Sequence, residues 1–189
     1  MLCDIWSVVR EIAEVIPVLA AAEEGTFPVT VPKENFWLQG TGNFGSRIEN
    51  ILRRGLSRAP AAIVLGADSP LITAGHLRDA LHQLQSSDAV MGPACDGGFY
   101  LLGLRKCPFG LLQGVPWSTA EAGQSTEDCL HSQGMSVSQL RMLPDVDTVA
   151  DLQSLYDELK NAAPTIAPAT QQWFFEHRSR LREFQWSAS

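Results

Sequence analysis

The spacing of apolar positions changes several times along this chain, and each change predicts an element. Ile5, Val8, Val9 and Ile12 recur at helical intervals and predict a helix over 2–14. Residues 15–22 read as a strand interrupted by Pro17, and 25–33, with two prolines, as loop. A helix is expected over 46–57. Five apolar residues then run without a break from Ala61 to Leu65 and stop at Gly66. That pattern suits a strand enclosed on both faces, as in a parallel sheet covered by helices. Thr73 is placed to cap a helix over 74–85 that turns Leu77, Leu81 and Leu84 to one side.

Strands are expected over 88–93 and 99–104, joined by Cys95-Asp-Gly-Gly98, which has the composition of a tight turn. A short apolar element covers 109–115. Ser118 and Glu121 have capping-box spacing for a helix running from Thr119 towards His131, with a short strand over 136–140 after it. Thr148 and Asp151 repeat that spacing before a helix over 149–161 that turns Leu152, Leu155 and Leu159 inward. Residues 162–170 read as a linker. Trp173, Phe174, Leu181 and Phe184 suit a last helix that docks on the core.

Strands alternating with helices predict a three-layer α/β fold, a mostly parallel sheet with helices on both faces and one hairpin or antiparallel edge. The expected organisation is one domain over 1–161, with 162–189 as linker and terminal helix. The 189-residue length, 45% hydrophobic content and 19% charged content agree with a globular domain. A net charge of −7 without a basic stripe argues against a nucleic-acid partner. Four scattered cysteines and four scattered histidines form no zinc motif and suggest reduced thiols. No apolar run is long enough to span a bilayer, and the N-terminus lacks a signal peptide's basic start, so a cytoplasmic protein is expected.

The candidate chemistry lies just past the strands. Asp68 follows the strand ending at Leu65, in the crevice where α/β sheets bind ligands. Asp145 and Asp147 follow another strand. Together these carboxylates can hold Mg²⁺ or Mn²⁺ against a phosphate. Each also has a plainer reading: Asp68 as a turn residue before Pro70, Asp96 as a hairpin residue, Asp147 as a helix cap. Gln39-Gly-Thr-Gly-Asn-Phe-Gly45 precedes a helix and is either a phosphate-approaching loop or a flexible one.

Six spaced motifs occur in one order: Gly66-Ala-Asp-Ser-Pro-Leu71, Asp88-Ala-Val90, Gly92-Pro93, Asp96-Gly-Gly-Phe-Tyr-Leu-Leu-Gly103, Trp117-Ser-Thr119 and Asp145-Val-Asp-Thr148. Together they resemble a family of small bacterial GT-A-like glycosyltransferases, some assigned to arsenosugar biosynthesis. These are cousins of nucleotidyltransferases such as 2-phospholactate guanylyltransferase. The resemblance spans about residues 39–155. It implies a nucleotide-diphospho-sugar transferase fold, with Asp68, Asp145 and Asp147 as metal ligands and Asp96 in the acceptor-side loop, where it is a candidate base towards an acceptor hydroxyl. Gln39, Gly42, Gly45 and Arg47 match the segment expected near the nucleotide. Gly97, Gly98, Trp117, Ser118 and Thr119 match the acceptor pocket.

The family usually opens with a strand and a Lys-Thr-Arg-Leu loop that contacts donor phosphates. Neither is found here, and the chain starts in what reads as the following helix. The expectation is therefore an N-terminally incomplete domain. The reading that follows is a metal-dependent glycosyltransferase taking a nucleotide-sugar donor and a small acceptor. Its rivals are a nucleotidyltransferase releasing pyrophosphate, and a catalytically inactive ligand-binding or structural relative.

Overall fold

The computed structural model describes residues 1–183. Helix α1 (Leu2–Arg10) leads through a loop to β1 (Leu19–Ala21), and β2 (Phe36–Leu38) pairs with β1 in parallel. Helix α2 (Phe44–Leu56) follows, then β3 (Ala62–Leu65), α3 (Ala74–Gln83), β4 (Ala89–Pro93) and β5 (Phe99–Leu104). The chain continues through α4 (Ala122–Ser132), β6 (Val137–Gln139), α5 (Val149–Leu159) and α6 (Pro168–Glu183).

Four strands form the main sheet in the order β3-β5-β4-β6. β5 runs antiparallel to both β3 and β4, and β6 runs parallel to β4. Three of the four strands therefore point the same way, and the fold is the expected α/β arrangement. The β4–β5 hairpin is present, but its antiparallel strand lies inside the sheet, not at an edge.

Leu52 from α2 and Leu130 from α4 meet Leu102 and Leu104 on one face. Ile12, just beyond α1, and Leu77, Ala80 and Leu84 on and just beyond α3 meet Val90 and Leu101 on the other. Helices thus cover both faces, and each fully buried leucine contributes roughly 2 kcal/mol. A third cluster joins Leu155 and Leu159 of α5 to Phe174 of α6.

Several boundaries move from their expected places. β2 answers to no expected strand, because three residues carry too little alternation to register. β3 is half-buried and, among the described residues, pairs with β5 alone, so it is an edge strand. Its apolar run is still covered on both faces, Ala62 and Val64 packing into one core and Ala61, Ile63 and Leu65 into the other. α4 begins at Ala122, not Thr119, and no side chain caps it. Ser118 adopts φ 61°, and the Gly123 N–H donates to Gly97 O (2.8 Å), so a loop contact takes the place of the expected capping box. Pro168, expected in a linker, opens α6, a position that suits proline because it needs no N–H there. Phe174 is buried, whereas Trp173 is 41% exposed; Phe184 lies outside the described residues.

Candidate functional site

The strand directions decide where the carboxylates meet. β3, β4 and β6 end at one edge of the sheet, and an aspartate follows each: Asp68 three residues past β3, Asp96 three past β4, and Asp145 and Asp147 past β6. The last two strands stay joined beyond their formal ends. Leu143 N–H donates to Pro93 O (3.1 Å) and Cys95 N–H to Leu143 O (3.2 Å), which draws Asp96 and Asp145 together.

One carboxylate oxygen from each of Asp96, Asp145 and Asp147 lies within 4.8 Å of the others. They line a cleft of about 280 Å³ whose wall includes Asp151 and Glu158. Asp68 is half-buried and stands beside this trio: burial raises its carboxyl above the usual range, and Asp147 and Asp96 add repulsion. Asp145 is pushed up to about 6 by burial first, then by Asp96 and Asp147. Four like charges are thus gathered with no cationic side chain contributing to either shift.

The plainer readings are partly separated here. Thr148 and Asp151 make the α5 capping box: Asp151 Oδ2 accepts from Thr148 N–H (2.8 Å) and Thr148 Oγ1 (2.7 Å). With that cap complete, the Asp147 carboxylate is left facing the cleft. Asp96 does hold its turn, since Oδ1 accepts from Gly98 N–H (2.7 Å), and it belongs to the acidic trio as well.

Gly97 shows why this turn has its composition. Its φ is +91°, and a Cβ there would run into the carbonyl oxygen of Ala120. Gly97→Ala is expected to cost about 3 kcal/mol through combined strain and overlap, and to displace Asp96. Thermal unfolding of the metal-free protein measures that cost.

A second group of candidate residues gathers around Trp117. The Gly45 Cα lies under the indole, where a Cβ would stand 2.7 Å from Trp117 Nε1. Phe44 meets Trp117 edge to face, with centroids 5.0 Å apart, and the Arg47 guanidinium sits 5.8 Å from the Phe44 centroid. Arg47 and Trp117, expected on opposite sides of the site, are therefore neighbours through Phe44. Among the described residues neither Arg47 Nε nor Trp117 Nε1, both buried, finds an acceptor, a cost of about 1–3 kcal/mol each.

Gly42 has φ +109° just before the Asn43 cap of α2. Gln39 points its amide elsewhere, donating to Ala20 O (3.2 Å), so its amide N–H₂ serves the β1–β2 ribbon. Ser118 and Thr119 are exposed, and Thr119 Oγ1 donates to Pro116 O (2.8 Å).

Sequence reasoning passed over Phe44, whose single apolar side chain among glycines carries no periodic signal. It also passed over Glu49, which a charge on the buried stripe beside Leu52 would have flagged. Glu49 is 6% exposed and accepts from Gly110 N–H (3.0 Å) and Leu112 N–H (2.6 Å), fixing the loop that leads to Trp117.

All-oxygen donors at this spacing fit a hard divalent cation, whose ligands stand roughly 3–4 Å apart. Such an ion would offset the repulsion from Asp96 and Asp147 that adds to burial in raising the Asp145 carboxyl. Asp96, Asp145 and Asp147 form the closest set, with Asp68 at its margin.

The family described as an uncharacterized protein conserved in bacteria (DUF2064) matches residues 11–119, more than half of the chain. The match includes Asp68 and Asp96 and ends before Asp145. Among solved structures, the chain is similar to the crystal structure of a "putative nucleotide-diphospho-sugar transferase" from Desulfovibrio desulfuricans G20. The two share 30% identity with a TM-score of 0.72, over 81% of this chain and 67% of that one. No curated protein matches. Among the described residues no helix is long and apolar enough to cross a membrane.

Proposed function

The chain belongs to the DUF2064 family and has the fold of a nucleotide-diphospho-sugar transferase, and we propose that it transfers a sugar from a nucleotide-diphospho-sugar to a small acceptor with the help of Mg²⁺ or Mn²⁺. The observation that carries this reading is the convergence of Asp68, Asp96, Asp145 and Asp147 on one edge of the sheet. An anionic diphosphate has no reason to approach four carboxylates unless a cation lies between them.

Asp96, Asp145 and Asp147 would hold the ion, and Asp68 adds its charge from the side. When bound, the ion neutralises the diphosphate of the departing nucleotide as a Lewis acid. The placement of Asp96 favours a ligand's part over that of a base, because its oxygen lies within 4.8 Å of two other carboxylates. The exposed Ser118 and Thr119 offer hydroxyls to an acceptor at the rim. The Gly97–Gly98 turn lets substrate come close to the backbone.

Calorimetry with Mn²⁺ and UDP or GDP tests binding, and turnover of UDP- or GDP-sugars tests the reaction. Pyrophosphate release from GTP or CTP would transfer the same site to nucleotidyl chemistry. If Mn²⁺ with millimolar nucleotide leaves the melting temperature unchanged, the reading fails.

The pH dependence has a definite sign. A cation competes with the proton that Asp145 holds up to about pH 6, so affinity for Mn²⁺ should be level above that value and fall below it. The expected slope is about tenfold per pH unit for one displaced proton. Isothermal titration at pH 5, 6 and 7.5 measures it, with proton release on binding largest below pH 6.

A further inference from the structure

Phe44 opens α2 with 48% of its surface exposed, and it is not isolated. Its ring meets Trp117 at 5.0 Å and 82°, and Trp117 meets Phe99 at 6.0 Å and 73°. Phe99 follows Gly98, whose N–H holds the Asp96 carboxylate. A row of three rings therefore runs from Phe99, the residue after the turn that holds Asp96, out to an open phenyl face.

Arg47 stands beside that face in a protein of net charge −7, and among the described residues it forms no ion pair. Single exposed rings are ordinary at surfaces. A ring flanked by Arg47 and Trp117, each with a buried N–H that finds no acceptor among the described residues, and connected through Phe99 to the Gly98–Asp96 turn, is a different object.

We propose that Phe44 stacks on the base of a nucleoside diphosphate whose phosphates reach the carboxylate cluster. The inference rests on the reading given above and adds the element that recognises the nucleoside. A flat π-surface suits a purine or pyrimidine face, and stacking of this kind tolerates any base. The Arg47 guanidinium complements the negative charge of the same ligand. In this arrangement the phosphates lie at Asp96, Asp145 and Asp147, the ribose passes Phe99 and Trp117, and the base rests on Phe44.

The test compares inorganic pyrophosphate with UDP and GDP, each titrated with Mn²⁺ into the wild-type protein and Phe44→Ala. Phe44→Ala is expected to weaken both nucleotides about tenfold while leaving pyrophosphate unchanged. Phe44→Trp, which keeps a ring there, should bind nucleotides at least as well as the wild type. If nucleotides bind the alanine variant as tightly as the wild type while pyrophosphate also binds, the stacking role is overturned and the metal-phosphate reading stands. If neither pyrophosphate nor nucleotide binds the wild-type protein with Mn²⁺, the metal-phosphate reading falls and this inference with it.

Discussion

Asp145→Asn is expected to raise the melting temperature of the metal-free protein while weakening Mn²⁺ binding by at least the roughly 100-fold that loss of an outer-shell partner costs. The two effects have one cause. Asp145 is held near Asp96 and Asp147, and burial together with their charge pushes its carboxyl up to about 6. Ionised at neutral pH, it opposes folding, and an amide of the same shape removes that opposition. Because the group is largely solvent-screened, the gain is about 1 kcal/mol rather than the full value of the shift. That corresponds to about 2–4 °C in a chain of this size.

The sign also fixes the pH window. Between about pH 4 and 6 the folded protein holds a proton here that the unfolded chain has released, so this group's contribution to stability falls as pH rises through 6. The variant's advantage should therefore be present at pH 7 and vanish near pH 4. Differential scanning calorimetry at both values checks the stability arm, and calorimetric titration with Mn²⁺ checks the binding arm. A variant that melts lower and binds Mn²⁺ normally would show that Asp145 has a structural part instead.

Asp4→Ala should give the largest loss of stability. Asp4 is 3% exposed in the first turn of α1, yet its hydrogen-bond partners lie at the far end of the chain. Its carboxylate accepts from Ala169 N–H (2.7 Å), Thr170 N–H (3.0 Å) and Thr170 Oγ1 (2.6 Å). These backbone donors are unpaired first-turn groups of α6, so one helix supplies the capping anion for another. Removing it leaves the buried Thr170 N–H and Oγ1 and the part-buried Ala169 N–H without an acceptor, at about 3–5 kcal/mol in all. The melting temperature should fall by roughly 6–20 °C. Asp4→Asn, which keeps one acceptor oxygen, should recover about half of the loss. Denaturant unfolding of the three proteins measures the difference. Equal stability of Asp4→Ala and wild type would mean that the apolar contacts between α5 and α6 are enough to dock α6.

Much of the secondary structure was legible because its causes are local. The Thr73 and Thr148 caps appear where spacing placed them, and β5 has its expected limits. The family motifs marked aspartates just past strand ends, a position that depends only on where each apolar run stops. Ser118 and Glu121 mislead because the same spacing arises without a cap once Gly97 takes the Gly123 N–H.

The sequence by itself determined most of the helices and strands, β2 excepted, and that an aspartate follows each of three strands, since hydrogen bonding and side-chain period act over a few residues. Only the tertiary structure decided that β5 inserts between β3 and β4, leaving β3, β4 and β6 to end on the same side. It alone brought Phe44 to Trp117, and Asp4 to a helix 165 residues away. Such pairings depend on which apolar faces are buried together. Several arrangements satisfy the same local pattern, and the choice among them lies in the packing of the whole core.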